Sequence, residues 1–271
     1  MIEVKDISYK YPGQKDLVFC DFSLTLEQNK IYGLLGMNGT GKSTLLYLIS
    51  GLLRAKKGSV RFDGIETCKR TVDTLSEIFI VPEEFDLPAM SLKEYVELNS
   101  PFYPMFDGDV LEECLSDFEL TSDVKLDALS MGQKKKVFMA FALATNTKVL
   151  LMDEPTNGLD IPSKSQFRKV IANYMTEDRT LIISTHQVHD IEQLLDHVVI
   201  VNENTLLMNS SVADICNEYK FEYRTPQEMA DDVIYSEPTL QGNAVVAKRQ
   251  ENDEETGINL ELLFNAMNKT K

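Results

Sequence analysis

The stretch GMNGTGKST, Gly36 to Thr44, limits what this chain can fold into more than any other. It follows the apolar run IYGLL and opens the helical pattern STLLYLISGLL, so the backbone has to turn sharply from a buried strand into a helix. Glycines permit that turn, and they leave successive N–H groups and the helix N-terminus aimed at one point where an anion can sit. Lys42 adds a point charge, and the Ser43 hydroxyl can ligate Mg²⁺. Gly36, Met37, Asn38, Gly39, Thr40, Gly41, Lys42, Ser43 and Thr44 are expected to cradle a nucleoside triphosphate.

Other apolar runs, Ile31 to Leu35, Ile78 to Val81, Val149 to Met152, Leu181 to Ser184 and Val198 to Val201, read as buried strands separated by helical patterns. That alternation predicts an α/β, P-loop NTPase core with a mostly parallel sheet. IEVKDIS alternates instead and predicts an antiparallel β edge with one wet face. From about residue 88 to 145 strand signals give way to apolar residues three and four apart, which predicts a helical subdomain insert. After about 220 come the short strand candidates KFEYR, DDVIYSEP and GNAVVAKRQ, the acidic loop ENDEETG and a terminal helix NLELLFNAM with Asn259 as its cap. The expected division is an ATPase domain at 1–220 and a small α+β C-terminal appendix at 221–271.

Asp and Glu number 43 against 27 Lys and Arg, a formal charge of -16, which argues against nucleic acid or anionic lipid as a direct partner. The longest nearly apolar stretch, Val137 to Ala144, falls far short of the roughly 20 residues that span a bilayer, and the start lacks a basic and apolar leader. A cytoplasmic chain without direct membrane insertion is expected. The cysteines, Cys20, Cys68, Cys114 and Cys216, are scattered without CxxC pairing and read as inert thiols.

The strand in KVLLMDEPTNGLD ends in Asp153 and Glu154, and strand ends are where such a sheet presents its ligand site. Asp153 suits Mg²⁺, held through its coordinated water, and Glu154 suits a water-activating base. His186 follows the run LIIST and is placed to donate to the γ-phosphate. An HxxH metal site from His186 and His189 lacks a third soft ligand. Lys134 to Lys136 could add positive potential near the phosphates or form a solvated helix face.

With LSMGQ at Leu129 to Gln133, these motifs, in order over about residues 1 to 210, closely resemble the ATP-binding cassette (ABC) family. LSMGQ is similar to the family's signature, usually LSGGQ, with Met131 in place of a glycine and Ser130, Gly132 and Gln133 in agreement. The resemblance implies ATP and Mg²⁺ as cofactors and a partner cassette, the same chain or a homologue, whose signature closes over this chain's phosphate loop. It implies that Asp160 belongs to the D-loop across that dimer and that Tyr11 stacks on adenine, with Tyr9 as a nearby rival. It also implies a transmembrane permease subunit docked on the helical insert, where Phe85, Leu87 and Met90 either line the docking groove or belong to the core. The chain would then act at the inner face of the membrane through that permease.

The insert's FYPMFD, the approach KLDALSMGQ and the tail look most like single-domain bacterial exporter cassettes. In IFIVPEEFDLP, Glu83 stands where the family has a glutamine that reaches Mg²⁺ and the attacking water, while Glu84 reads as a solvated turn. A carboxylate keeps acceptor oxygens for Mg²⁺ and adds negative charge, so Ser43, Asp153 and Glu83 are the expected metal-side ligands. The expected function is an ATP-hydrolysing transporter subunit. An ATPase serving an assembly process without a membrane partner, and a module that uses ATP only as a dimer switch, are the alternatives.

Overall fold

The computed structural model describes residues 1–250 and 253–269. Strand β1 (Ile2–Tyr9) pairs antiparallel with β2 (Phe19–Leu26), and β3 (Ile31–Leu35) runs through the glycine-rich loop into α1 (Lys42–Ile49). β4 (Lys57–Phe62) and β5 (Ile65–Glu66) complete an antiparallel sheet ordered β2-β1-β4-β5. A short helix α2 (Val72–Leu75) leads to β6 (Ile78–Val81), after which the chain forms α3 (Leu92–Asn99), α4 (Gly108–Asp117) and α5 (Met131–Ala144). It then returns as β7 (Val149–Asp153), α6 (Ile161–Tyr174), β8 (Thr180–Thr185), β9 (His197–Asn202) and β10 (Thr205–Ser211). The resulting sheet is ordered β10-β9-β3-β8-β7-β6, with β10 antiparallel and the others parallel. α7 (Val212–Glu218) connects to β11 (Tyr219–Arg224), β12 (Val233–Thr239) and β13 (Gly242–Lys248), a small sheet ordered β11-β13-β12, and α8 (Leu260–Lys269) follows.

The apolar runs are buried on both faces because alternate residues feed two separate cores. Leu35, Leu150, Met152, Leu181, Ile183 and Ile200 pack on the side of α5, α6 and the helical insert. Leu34, Leu151, Ile182, Val199 and Val201 pack against α1 and the antiparallel sheet. At roughly 2 kcal/mol for each fully buried aliphatic side chain, this double layer holds the strand ends rigidly.

The helical insert has the expected place, with α3, α4 and α5 inside residues 88–145. Reciprocal caps start α3 at Ser91 and Glu94 and α5 at Ser130 and Gln133. The N-terminal strand departs from expectation: β1 is antiparallel, yet it lies between β2 and β4 and is not an edge. Its alternation marks one wet face, which an interior strand of a one-sided sheet also has.

The appendix strands form where the sequence places them, and Asn259 caps α8 by accepting from the Leu262 N–H at 3.0 Å. Of the acidic loop, Glu251 and Asn252 lie outside the described residues. Phe221, Val246, Leu260 and Leu263 share the core that contains Val188 and Ile191, so the appendix has its own sheet but no separate core.

Candidate functional site

Parallel register brings the site together. Leu35 lies opposite Thr185, Asp153 opposite Ser184, and Val81 opposite Met152, so Gly36, Glu83, Glu154 and His186 emerge along one edge of the sheet. This is the edge at which open α/β sheets bind ligands. A cavity of about 550 Å³ lies there, lined by Tyr11, Gln14, Val18, Asn38, Gly39, Gly41, Lys42, Ser43, Thr44, Glu83, Glu154, Asn157 and His186.

The loop is shaped by its glycines at two points. Gly41, at φ +98°, is the N-cap of α1, and a Cβ there would lie 2.8 Å from both Val18 and the Phe19 ring. At Gly36 a Cβ would meet Thr40 Oγ1 at 2.6 Å and the Val201 carbonyl at 2.7 Å. Gly41 brings no side chain to the first N–H groups of α1, which leaves them facing the cavity. Gly36, Met37 and Thr40 form the back of the loop: the Thr40 hydroxyl donates to the Met37 carbonyl at 2.8 Å. Lys42 Nζ donates to the Gly36 carbonyl at 2.8 Å and the Met37 carbonyl at 3.3 Å, and lies 3.7 Å from Glu154 Oε1. Burial lowers the Lys42 pKa, and Glu154, Asp153 and Glu83 oppose that loss of charge.

Glu154 sits at φ +44°, an uncommon backbone for a non-glycine residue, which turns its carboxylate back over the strand ends. Three contacts hold that carboxylate. Thr185 Oγ1 and the His186 N–H donate to Oε2 at 3.0 and 3.3 Å, and His186 Nδ1 lies 2.9 Å from Oε1. With Nδ1 turned to Glu154, the other ring nitrogen is the one that can meet a phosphate.

Asp153 is buried beneath the cavity and accepts from the Ser184 hydroxyl and from Ser43. Burial is the main cause that holds its pKa above the ordinary carboxylate value, and Glu83 and Glu154 add to it. Tyr11, not Tyr9, faces the cavity: Tyr9 is buried against it edge-on, while the Tyr11 hydroxyl lies 3.0 Å from Thr44 Oγ1.

The signature lies elsewhere. Ser130 and Gln133 cap α5 through Gln133 N–H to Ser130 Oγ at 3.3 Å and Ser130 N–H to Gln133 Oε1 at 3.0 Å. Gly132 and Met131 line a second cavity of about 510 Å³ with Glu83, Glu84, Phe85, Asp86, Lys135, Asn157 and Gly158. Asp160 caps α6 by accepting from the Ser163 N–H at 2.9 Å. Glu84 is exposed, as a turn residue should be, whereas Leu87 is buried in the core and Phe85 packs its ring 4.6 Å from Phe138.

The solvated-face reading of Lys134 to Lys136 does not hold. Lys135 is 7% exposed and donates to the Asn157 carbonyl at 2.7 Å, and Lys136 donates to Gln166 Oε1 at 2.7 Å. Sequence reasoning also missed Asn157, whose side-chain amide donates to Glu83 Oε1 at 2.7 Å. Its place in TNGLD, one turn beyond Asp153 and Glu154, was the available signal.

A glycine-rich strand-to-helix loop with a buried lysine, facing a carboxylate held at the end of β7, two strands over, defines a P-loop nucleoside triphosphatase. The ABC transporter family profile matches residues 19–157. The ABC transporter ATP-binding protein YtrB of Bacillus subtilis is 31% identical over 224 residues, 82% of this chain and 75% of that one. NatA of the same organism is 28% identical over 231 residues, 82% of this chain and 94% of that one. The bacitracin transport ATP-binding protein BcrA of Bacillus licheniformis is 30% identical over 211 residues, 76% of this chain and 68% of that one.

Among solved structures, an ATP-binding subunit of an ABC transporter superposes with TM-score 0.70 at 24% identity, covering 79% of this chain and 91% of that one. A dimeric ATP-binding cassette bound to ADP and Pi superposes with TM-score 0.67 at 24% identity, covering 78% of this chain and 98% of that one. The chain belongs to the ABC transporter family: it is the ATP-binding, ATP-hydrolysing kind of subunit in such a transporter.

Proposed function

We propose that this chain is one of two cassettes that close around two ATP molecules and so drive a separate transmembrane permease. The observation that carries the reading is the separation of the two halves of the site. Lys42 and Glu154 line one cavity, while Ser130 and Gln133 line neither cavity and Gly132 lines the other, so a second cassette has to supply its signature to this phosphate loop.

In this reading Glu154 accepts the proton of the attacking water, held in place by Thr185 and His186. Lys42 and the N–H groups of the loop bind the phosphates, and a triphosphate offers Lys42 anionic acceptors in place of the two loop carbonyls. Tyr11 supports the adenine, and Asp160 sets the start of α6 at the partner-facing turn.

The donor set fits Mg²⁺: it is all oxygen, with the Ser43 hydroxyl, the buried Asp153 and the cavity-facing Glu83. Among the described residues no three His, Cys, Asp or Glu side chains form a ready cage, which suits an ion shared with phosphates and water. When bound, that ion would neutralise phosphate charge.

We assign residues 1–220 to the ATPase domain and 221–271 to an appendix. The permease is placed against the helical insert, where Leu98, Phe102 and Met105 are 61%, 69% and 68% exposed and give an apolar surface. No helix among the described residues is long and apolar enough to cross a membrane. In this reading the chain works at the inner face of the membrane through its permease.

Affinity isolation of the tagged full chain from detergent-solubilised membranes tests this. The proposal expects a multi-span membrane protein and a cassette subunit, this chain or a homologue, to be retained together. Recovery with soluble assembly factors alone would instead support an ATPase of an assembly process and contradict the transport role.

A further inference from the structure

We propose that Lys135 is a positioning residue for the ATP reaction: a buried counter-charge to Glu83 that acts through Asn157 and ties the helix carrying the signature to the phosphate site. The inference rests on the reading that Glu83 faces the phosphates.

Asn157 is the joint. Its carbonyl accepts from Lys135 Nζ at 2.7 Å, its side-chain amide donates to Glu83 Oε1 at 2.7 Å, and its own N–H donates to the Glu154 carbonyl at 3.1 Å. Two opposite charges and the candidate base are thus linked through one residue that lines both cavities. Lys135 lies on the first turns of α5, whose N-cap is Ser130. A shift of α5 would therefore pull on Asn157, and through it on Glu83.

Charge explains why a lysine is tolerated there. A buried ammonium with one neutral carbonyl acceptor is unfavourable unless negative charge stands nearby. Burial lowers the Lys135 pKa, and Glu83, then Glu154 and Asp153, act against that loss of charge. The relation is mutual. Glu83 places a carboxylate beside a site meant for polyphosphate, and without an internal cation it would repel the ligand.

The alternative is a purely structural Lys135 that pins the Asn157 turn by one hydrogen bond. A charge-swap cycle separates the two. Lys135→Gln, which leaves Glu83 unopposed, is expected to weaken equilibrium binding of ATP without Mg²⁺ about tenfold, and adding Glu83→Gln to it is expected to bring the Kd back within about threefold of the parent chain. A double variant as impaired as Lys135→Gln alone would overturn the proposal, because removing Glu83 cannot replace a lost structural bond.

Should Lys135→Gln fail to fold, Glu83→Gln decides by equilibrium binding of ATP without Mg²⁺. With the Lys135 charge unopposed it is expected to bind at least about threefold more tightly, and unchanged affinity would overturn the proposal. Lys42→Ala is measured alongside. If it binds ATP as the parent does, the phosphate-site reading itself has failed; if it loses ATP while the double variant stays impaired, only the Lys135 coupling has failed.

Discussion

At the strand ends around Lys42, burial holds the Asp153 carboxyl above its ordinary pKa and the Lys42 ammonium below its own. In the C-terminal appendix Asp232 is pulled down to about 2, chiefly by its hydrogen bonds from Arg224. The two regions spend charge in opposite ways. Arg224 forks onto Asp232 at 2.8 and 2.7 Å, and Lys220 adds Asp253 at 3.0 Å, so the appendix satisfies its own ions. The strand ends instead gather three carboxylates near two buried lysines, Lys42 and Lys135, with Glu154 at positive φ. Self-neutralised charge holds a fold together, while crowded like charge and backbone strain mark a place arranged for a ligand.

That contrast can be broken from either side. The largest binding effect belongs to Lys42→Ala, which is expected to weaken ATP affinity about a hundredfold in a nucleotide titration, since the proposed function makes Lys42 the buried charged donor to phosphate. Tyr11→Ala is expected to weaken it about tenfold by removing a stacking face, and Tyr11→Phe by no more than about twofold. Glu83→Gln is expected to shift the Mg²⁺ concentration for half-maximal turnover by a few fold, read from Mg²⁺ titrations at fixed ATP. Unchanged Mg²⁺ dependence removes Glu83 from the metal side.

In the appendix Asp232→Asn is expected to leave turnover unchanged and to act only on stability. The folded pKa of Asp232 is depressed from 3.8 to about 2, so its contribution is complete above the ordinary value and is lost as pH falls between the two. Denaturation midpoints measured through that window should fall less steeply in the Asn variant.

Much of this was legible in the sequence for physical reasons. The runs around Leu35, Leu151 and Ile183 are apolar at consecutive positions because both faces of their sheet are covered, and a P-loop after one of them leaves little choice of fold. Glu83, Asp153, Glu154 and His186 could be found because each stands where such a run stops. Other features depend on what a residue meets across the chain. The interior place of β1 is set by β4, which joins it from a distant segment. Lys135 reads as solvated in a lysine run, and only the fold puts the Asn157 turn over it. Tyr9 and Tyr11 stand two apart and would share a face in one strand, but β1 ends at Tyr9, and the turn beyond it brings Tyr11 to the cavity.

The central claim is that Glu154 acts on the reaction rather than on ATP binding, and steady-state turnover of Glu154→Gln beside its ATP affinity tests it most directly. The account predicts turnover reduced at least about a hundredfold with affinity kept within about threefold, because the carboxylate matters mainly in the transition state. Near-normal turnover, or loss of affinity and turnover together, would contradict it.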